Sequence, residues 1–245
     1  SPTTPGESAE DLGLPVVVLE DEDLRATEMT RGWIFVEHAG GAPYLAPGHS
    51  ITRAGEHTLF VNESSVLALA EPGHTEVLRA RDLSAEEVLA VAGIRHSMFV
   101  LTETGGRGAL YHIPLWSDVL RTPLSDVESR SASPLVVFTL DPPFTEGRIL
   151  VAPDQSTIAV EAVSDGDVSR TSVLWVGDGP PPCWPAFNGI CHLAQVQGTP
   201  VDFSPDGHWL LARDGQGRAL LVSTRGRGAV PLDLEIPDRV AWTAP

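Results

Sequence analysis

From residue 33 onward the chain is a succession of short apolar runs separated by turn-forming residues. They fall at 33–37 (WIFVE), 58–61 (TLFV), 65–70 (SVLALA), 97–102 (SMFVLT), 109–115 (ALYHIPL) and 134–140 (PLVVFTL). The series continues at 148–152 (RILVA), 156–162 (STIAVEA), 172–176 (SVLWV), 208–212 (HWLLA) and 219–224 (ALLVST). Each run is short, rich in Val, Leu, Ile and aromatics, and closed by Gly, Pro, Asp or Asn, which is the pattern of a strand. Only residues 85–91 carry a helical pattern, with Ser84 as cap and Glu87 three residues on. The fold class read from this pattern is all-β.

The runs also repeat as a unit. Residues 51–61, 89–100, 149–160 and 201–212 share one register: a strand, a tight turn, then a second apolar strand. A third strand follows in each, and the last unit adds a fourth at 229–234. The turn anchors Ala54, Ala92, Ala152 and Ser204 are separated by 38, 60 and 52 residues, the spacing of one four-stranded antiparallel sheet per repeat with insertions. Residues 177–199 read as such an insertion, a proline-stiffened loop between two sheets.

The segment Val201-Asp202-Phe203-Ser204-Pro205-Asp206-Gly207 resembles the FSPDG signature of TolB-type, WD40-like β-propeller repeats, and Ala152-Pro153-Asp154 is a weaker copy. Its physical basis is local. Proline fixes φ, Asp bonds back to the main chain, and Gly accepts positive φ. The resemblance implies a β-propeller. Roughly 40–45 residues per blade then give about five four-stranded antiparallel blades. Residues 32–46 match 208–222, with Trp33 against Trp209, and 239–245 match the opening strand at 201–205. The expectation is a ring closed by N- and C-terminal strands sharing one blade, with Trp242 near Trp33. Residues 16–20 are available as an additional edge strand. The domain reading is a disordered acidic tether over 1–13 and one propeller domain over 14–245.

Composition narrows the function classes. The 33 acids against 16 basic residues give a formal charge of −17, which disfavours nucleic acid and anionic membrane surfaces as partners. Every basic residue is arginine, so lysine chemistry is excluded. There is no apolar run of membrane-spanning length. The acidic run Glu20-Asp21-Glu22-Asp23 lacks the alternate spacing of a calcium loop and reads as solvated. Cys183 and Cys191 either pair across a short loop or stay separate thiols; the short range favours a disulfide and an oxidising compartment.

Candidate chemistry is sparse. His57, His96 and His208 fall at similar turn positions and are weak metal-ligand candidates; the reading is no cofactor and no metal. Asp154 and Asp206 sit in equivalent turns, Asp202 precedes the signature Phe, and Asp165 and Asp167 flank Gly166, so turn roles account for them. No Gly-x-Ser-x-Gly or His-Glu-x-x-His motif occurs, and no catalytic residue is assigned. Trp184, Phe187 and Ile190, on the 177–199 loop, are the binding-loop candidates, because rigid aromatic anchors lose little entropy on binding.

The leading expectation is a non-enzymatic scaffold in the periplasm or at the cell surface, binding another envelope protein and tethered by a lipid anchor upstream of Ser1. A glycosidase-like hydrolase or lyase with channel carboxylates is the first alternative. A glycan-binding module using the loop aromatics is the second.

Overall fold

A computed structural model describes residues 12–55, 57–62, 65–69, 77–82, 87–95, 97–104, 107–114, 134–139, 144–164, 168–177, 182, 191–226, 228–236 and 242. These residues form five four-stranded antiparallel sheets, each built from four strands consecutive in the chain. The first holds β1 (Pro15–Glu20), β2 (Leu24–Met29), β3 (Trp33–His38) and β4 (Tyr44–Pro47). The second holds β5 (His49–Ala54), β6 (His57–Asn62), β7 (Ser65–Leu69) and β8 (Val77–Asp82). The third holds β9 (Glu87–Ile94), β10 (Ser97–Thr104), β11 (Arg107–Pro114) and β12 (Pro134–Thr139). The fourth holds β13 (Phe144–Val151), β14 (Thr157–Ser164), β15 (Val168–Trp175) and β16 (Cys191–Gln197). The fifth holds β17 (Thr199–Phe203), β18 (Trp209–Arg213), β19 (Arg218–Ser223) and β20 (Ala229–Glu235). Two compact units result: residues 1–104 with 111–133, and residues 105–110 with 134–245.

Inside the first unit, sheets stack face to face on alternating apolar positions. β3 buries Ile34, Val36 and His38 on one face, the period-2 pattern of a strand with one core side. Its Ile34 and Val36 join Ala26, Tyr44, Ile51 and Phe60 in one cluster between the first and second sheets. Phe60 is wholly enclosed, which stabilises the fold by about 2–3 kcal/mol relative to exposure. The opposite face of the second sheet packs Leu59, Val61 and Val66 on Val88, Val91, Met98 and Val100 of the third. Val88 through Ala92 of β9 are all buried, so neither face of the strand meets water.

That burial corrects the helix expected over residues 85–91. Five consecutive buried residues suit a strand sandwiched between neighbours and not a helix with one wet side. The seam between β5 and β9 is unusually close. Val91 N–H donates to Ser50 Oγ at 3.0 Å, and the same hydroxyl donates to Val91 C=O at 3.2 Å. Gly93 N–H donates to Thr52 Oγ1 at 2.7 Å. A Cβ on Gly93 would lie 1.7 Å from the Arg53 carbonyl oxygen, so only glycine fits.

The second unit uses charge at its seam. Glu161, buried on β14, pairs with Arg148 Nε on β13 at 3.2 Å and receives the Ser169 hydroxyl of β15 at 2.5 Å. Arg148 Nη2 also donates to Pro200 C=O, and Thr171 Oγ1 donates to Gly198 C=O at 2.6 Å. These bonds fasten the fourth sheet to the start of the fifth. Beside them, Ala152, Ala159 and Val173 pack on Phe203, Leu210, Ala212 and Val222.

Two further expectations change, while the C-terminal strand expected to close the ring lies outside the described residues except for Trp242. Both edges of the Trp33 strand are already paired, by β2 (Met29 opposite Trp33) and by β4 (Pro47 opposite Trp33). Of the C-terminal strand expected at 239–245 only Trp242 is among the described residues, so its pairing is not seen there. Trp242 packs on Leu211, Ala219 and Ile236 of the fifth sheet and its exit. The anticipated loop at 177–199 ends early, because residues 191–197 are β16, the fourth strand of its sheet. The turns are not all alike either. Ala54 pairs directly with His57 and Ile94 with Ser97, giving two-residue turns in the first unit. Ala152 bonds across to Thr157 and Ser204 to Trp209, giving four-residue turns in the second. The true counterpart of Ala54 is thus Ile94 and not Ala92.

Candidate interaction surface

The carboxylates singled out in the sequence serve their own turns. Asp206 Oδ1 receives the Ser204 hydroxyl at 2.6 Å and His208 N–H at 3.0 Å. Those bonds, the Ser204 hydroxyl first, hold its pKa below the usual 3.8. Asp154 receives Ser156 N–H at 3.0 Å and the Ser156 hydroxyl at 2.5 Å. Asp214 receives Arg218 N–H at 2.9 Å, the leading cause of its lowered pKa, and Gln216 N–H at 2.8 Å. A general acid needs its pKa raised, and Asp206 and Asp214 move the other way. Asp202 caps its own neighbour, accepting Phe203 N–H at 2.8 Å.

His208 is likewise engaged. Its Nδ1 lies 3.0 Å from Asp206 Oδ2, and Arg225 Nη2 contacts its Nε2. Both ring nitrogens are thus engaged by neighbouring side chains. Neither nitrogen is left for a metal. His57 opens β6 in the first unit, where it pairs with Ala54 across a two-residue turn, while His208 sits in a four-residue turn of the second. The two histidines thus sit in turns of different length. His96 lies outside the described residues, and no group of three potential ligands occurs among those described.

Trp184, Phe187, Ile190 and Cys183 also lie outside the described residues, as do Asp165 and Asp167. Cys191 begins β16, is buried, and is not a free thiol. The tether expected over 1–13 falls almost wholly outside them as well.

What remains is a surface on β1. Leu14, Val16, Val17 and Val18 are 72, 58, 36 and 45% exposed, the densest group of bare aliphatic side chains among the described residues. Isolated exposed aliphatics are ordinary, but a contiguous group marks a contact surface. Among the described residues β1 ends its sheet and pairs only with β2. A register irregularity between Pro15 and Val17 breaks strict alternation, and only Leu19 of the strand packs on the core. The acidic run follows at once as the β1–β2 turn. Asp21 N–H donates to Leu24 C=O at 2.8 Å, and the Asp21 carboxylate pairs with Arg53 of β5. Its pKa is lowered, first by Glu22 N–H and then by Arg53. Glu20, Glu22 and Asp23 stay exposed.

The sequence marked 16–20 only as a spare edge. The signal of a contact surface was three adjacent valines before a charge run, an apolar stretch whose alternation does not resolve into a wet and a dry side. A second feature had no sequence signal. His38 and Tyr44 are buried and stacked with ring centroids 5.9 Å apart, and both His38 nitrogens and Tyr44 Oη lack a hydrogen-bond partner among the described residues. Burial pushes the Tyr44 pKa up.

No protein-family model matches the chain, and no curated protein does. Solved structures do. Sqt1 of Chaetomium thermophilum, bound to the N-terminus of ribosomal protein L10, aligns at 12% identity and a TM-score of 0.52 over 86% of this chain. A TolB-like protein of Agrobacterium tumefaciens aligns at 15% identity and a TM-score of 0.44 over 76%. This chain spans 58% and 62% of the length of those two chains. At such identities the likeness speaks to fold alone. With five sheets of four consecutive antiparallel strands, it gives a WD40-like β-propeller fold.

Proposed function

We propose that the chain is a non-enzymatic propeller scaffold that binds another protein, and that β1 is its contact strand. The exposed aliphatic group Leu14, Val16, Val17 and Val18 carries this reading, since bare apolar surface beside a polar rim suits a partner better than water. The carboxylates and His208 support it by being committed to turn bonds. Sqt1, a propeller of related fold, is itself held in complex with a protein N-terminus. Membership of the TolB-type family, one domain over 14–245 and an extracytoplasmic site belong to the same proposal. A Cys183–Cys191 disulfide would agree with that location, because the chain has only two cysteines and Cys191 is not a free thiol.

The test is a photo-crosslinking side chain at Val17, with the exposed turn residue Gln216 as control, in extract of the source cells. One reproducible adduct from position 17 and none from 216 is expected. Equal labelling at both, or none at either, removes the reading.

A further inference from the structure

We propose that the free edge of β1 takes an extended, basic segment of the partner as an added strand. This rests on the scaffold reading and names its mode. Antiparallel pairing alternates hydrogen-bonded and non-bonded positions. Asp21 N–H bonds Leu24 C=O, so the next bonded pairs down the ladder are Leu19 with Ala26 and Val17 with Glu28. The main-chain groups of Val18 and Glu20 therefore point away from β2. No hydrogen bond reaches them on that side among the described residues. Unpaired edge groups flanked by exposed valines offer both halves of strand addition: main-chain bonds for affinity and side-chain contacts for register.

Charge selects the occupant. Glu20, Glu22 and Asp23 are exposed beside this edge, whereas the nearby cations are taken: Arg25 by Glu37 at 4.0 Å and Arg53 by Asp21. The chain as a whole is at −17. A segment alternating aliphatic and arginine or lysine residues would match valines and acids together. The last strand, β20, shows why exposure alone is insufficient. It bares Val230 and Leu234, but Pro231 interrupts it and Asp233 and Glu235 interleave with the aliphatics.

The probe is a labelled ten-residue peptide alternating valine and arginine, titrated into the full chain and read by fluorescence anisotropy. Saturable binding that weakens with added salt is expected. Val18→Pro removes only an outward N–H, so it should leave the melting temperature unchanged and weaken binding about tenfold. A probe N-methylated at alternate residues tests the same bond with the protein untouched, and should also bind at least about tenfold more weakly. Equal binding by the N-methylated probe, or by a glycine–arginine peptide of the same charge, overturns strand addition. So does absence of binding. A dimer in sedimentation that Val18→Pro dissolves would make a second copy the occupant and overturn the proposal too. If the probe fails while Val17 still crosslinks a partner, the scaffold reading stands and only this mode falls.

Discussion

The seam between β5 and β9 and the seam between the fourth sheet and β17 hold neighbouring sheets in different ways. The first has no charged member: a serine hydroxyl, a threonine hydroxyl and a glycine that lets two backbones meet. The second is a charged network of Arg148, Glu161 and Ser169 with the Pro200 carbonyl at its far end. Their turns differ as well, two residues in the first unit and four Asp-braced residues in the second. The lesson is that a repeat specifies the strands of a blade but not how blades are fastened. Close backbone approach is intolerant of volume, whereas a charged seam is intolerant of lost partners.

The sharpest way to break that contrast is Gly93→Val. Its branched side chain would occupy the space of the Arg53 carbonyl, so backbones must part, and the loss should be about 3 kcal/mol or more. Denaturant unfolding measures it; an unchanged midpoint would show that the close seam does not exist.

Next comes Glu161→Ala. Arg148 is half-exposed and can turn to water, so the penalty is that of lost charge-assisted bonds, about 2 kcal/mol, with Glu161→Gln milder. The charged seam should also weaken with added salt while the β5–β9 seam does not. Equal salt responses in Glu161→Gln and the parent would remove the distinction.

Gly207→Ala sets the scale for the longer turns. Gly207 has φ of 69°, and a Cβ there would meet the Asp154 carboxylate at about 3 Å, so the loss should be about 1 kcal/mol. A thermal melt unchanged by the substitution would mean the turn readjusts at no cost.

Acid gives the smallest effect. Burial lowers the pKa of His49, with Glu28 partly opposing, and burial lowers those of His112 and His192. Their folded values lie below the ordinary 6.5, so the unfolded chain takes up protons first as pH falls. Stability should be flat above about 6.5 and decline below it. The depressed carboxylates Asp21, Asp206 and Asp214 add a second decline only below 3.8, as pH falls through their folded values. His49→Gln should flatten part of the first decline, read as unfolding midpoints from neutral to mildly acidic pH. A parent whose midpoints do not change there would contradict the lowered histidine pKa values.

Much was fixed by local chemistry. Alternation in WIFVE, the Ser-Pro-Asp-Gly turn and the third strands at 65–70, 109–115, 172–176 and 219–224 could be read directly. Period-2 patterning and turn residues act within a few positions of themselves. The tertiary structure decided what depends on neighbours distant in the chain. Residues 87–94 became a strand that packs on the second sheet, with Val88 through Ala92 buried whichever way they point. The Trp33 strand took residues 24–29 and 44–47 as its two partners, a choice its own alternation does not specify. Residues 191–197 closed the fourth sheet although the prolines before them read as loop. The candidate site divided in the same way. The turn roles of Asp154 and Asp206 were legible, because their bonds reach only two residues. The contact strand was not, since nothing local in Val16–Val18 shows whether another sheet will cover it.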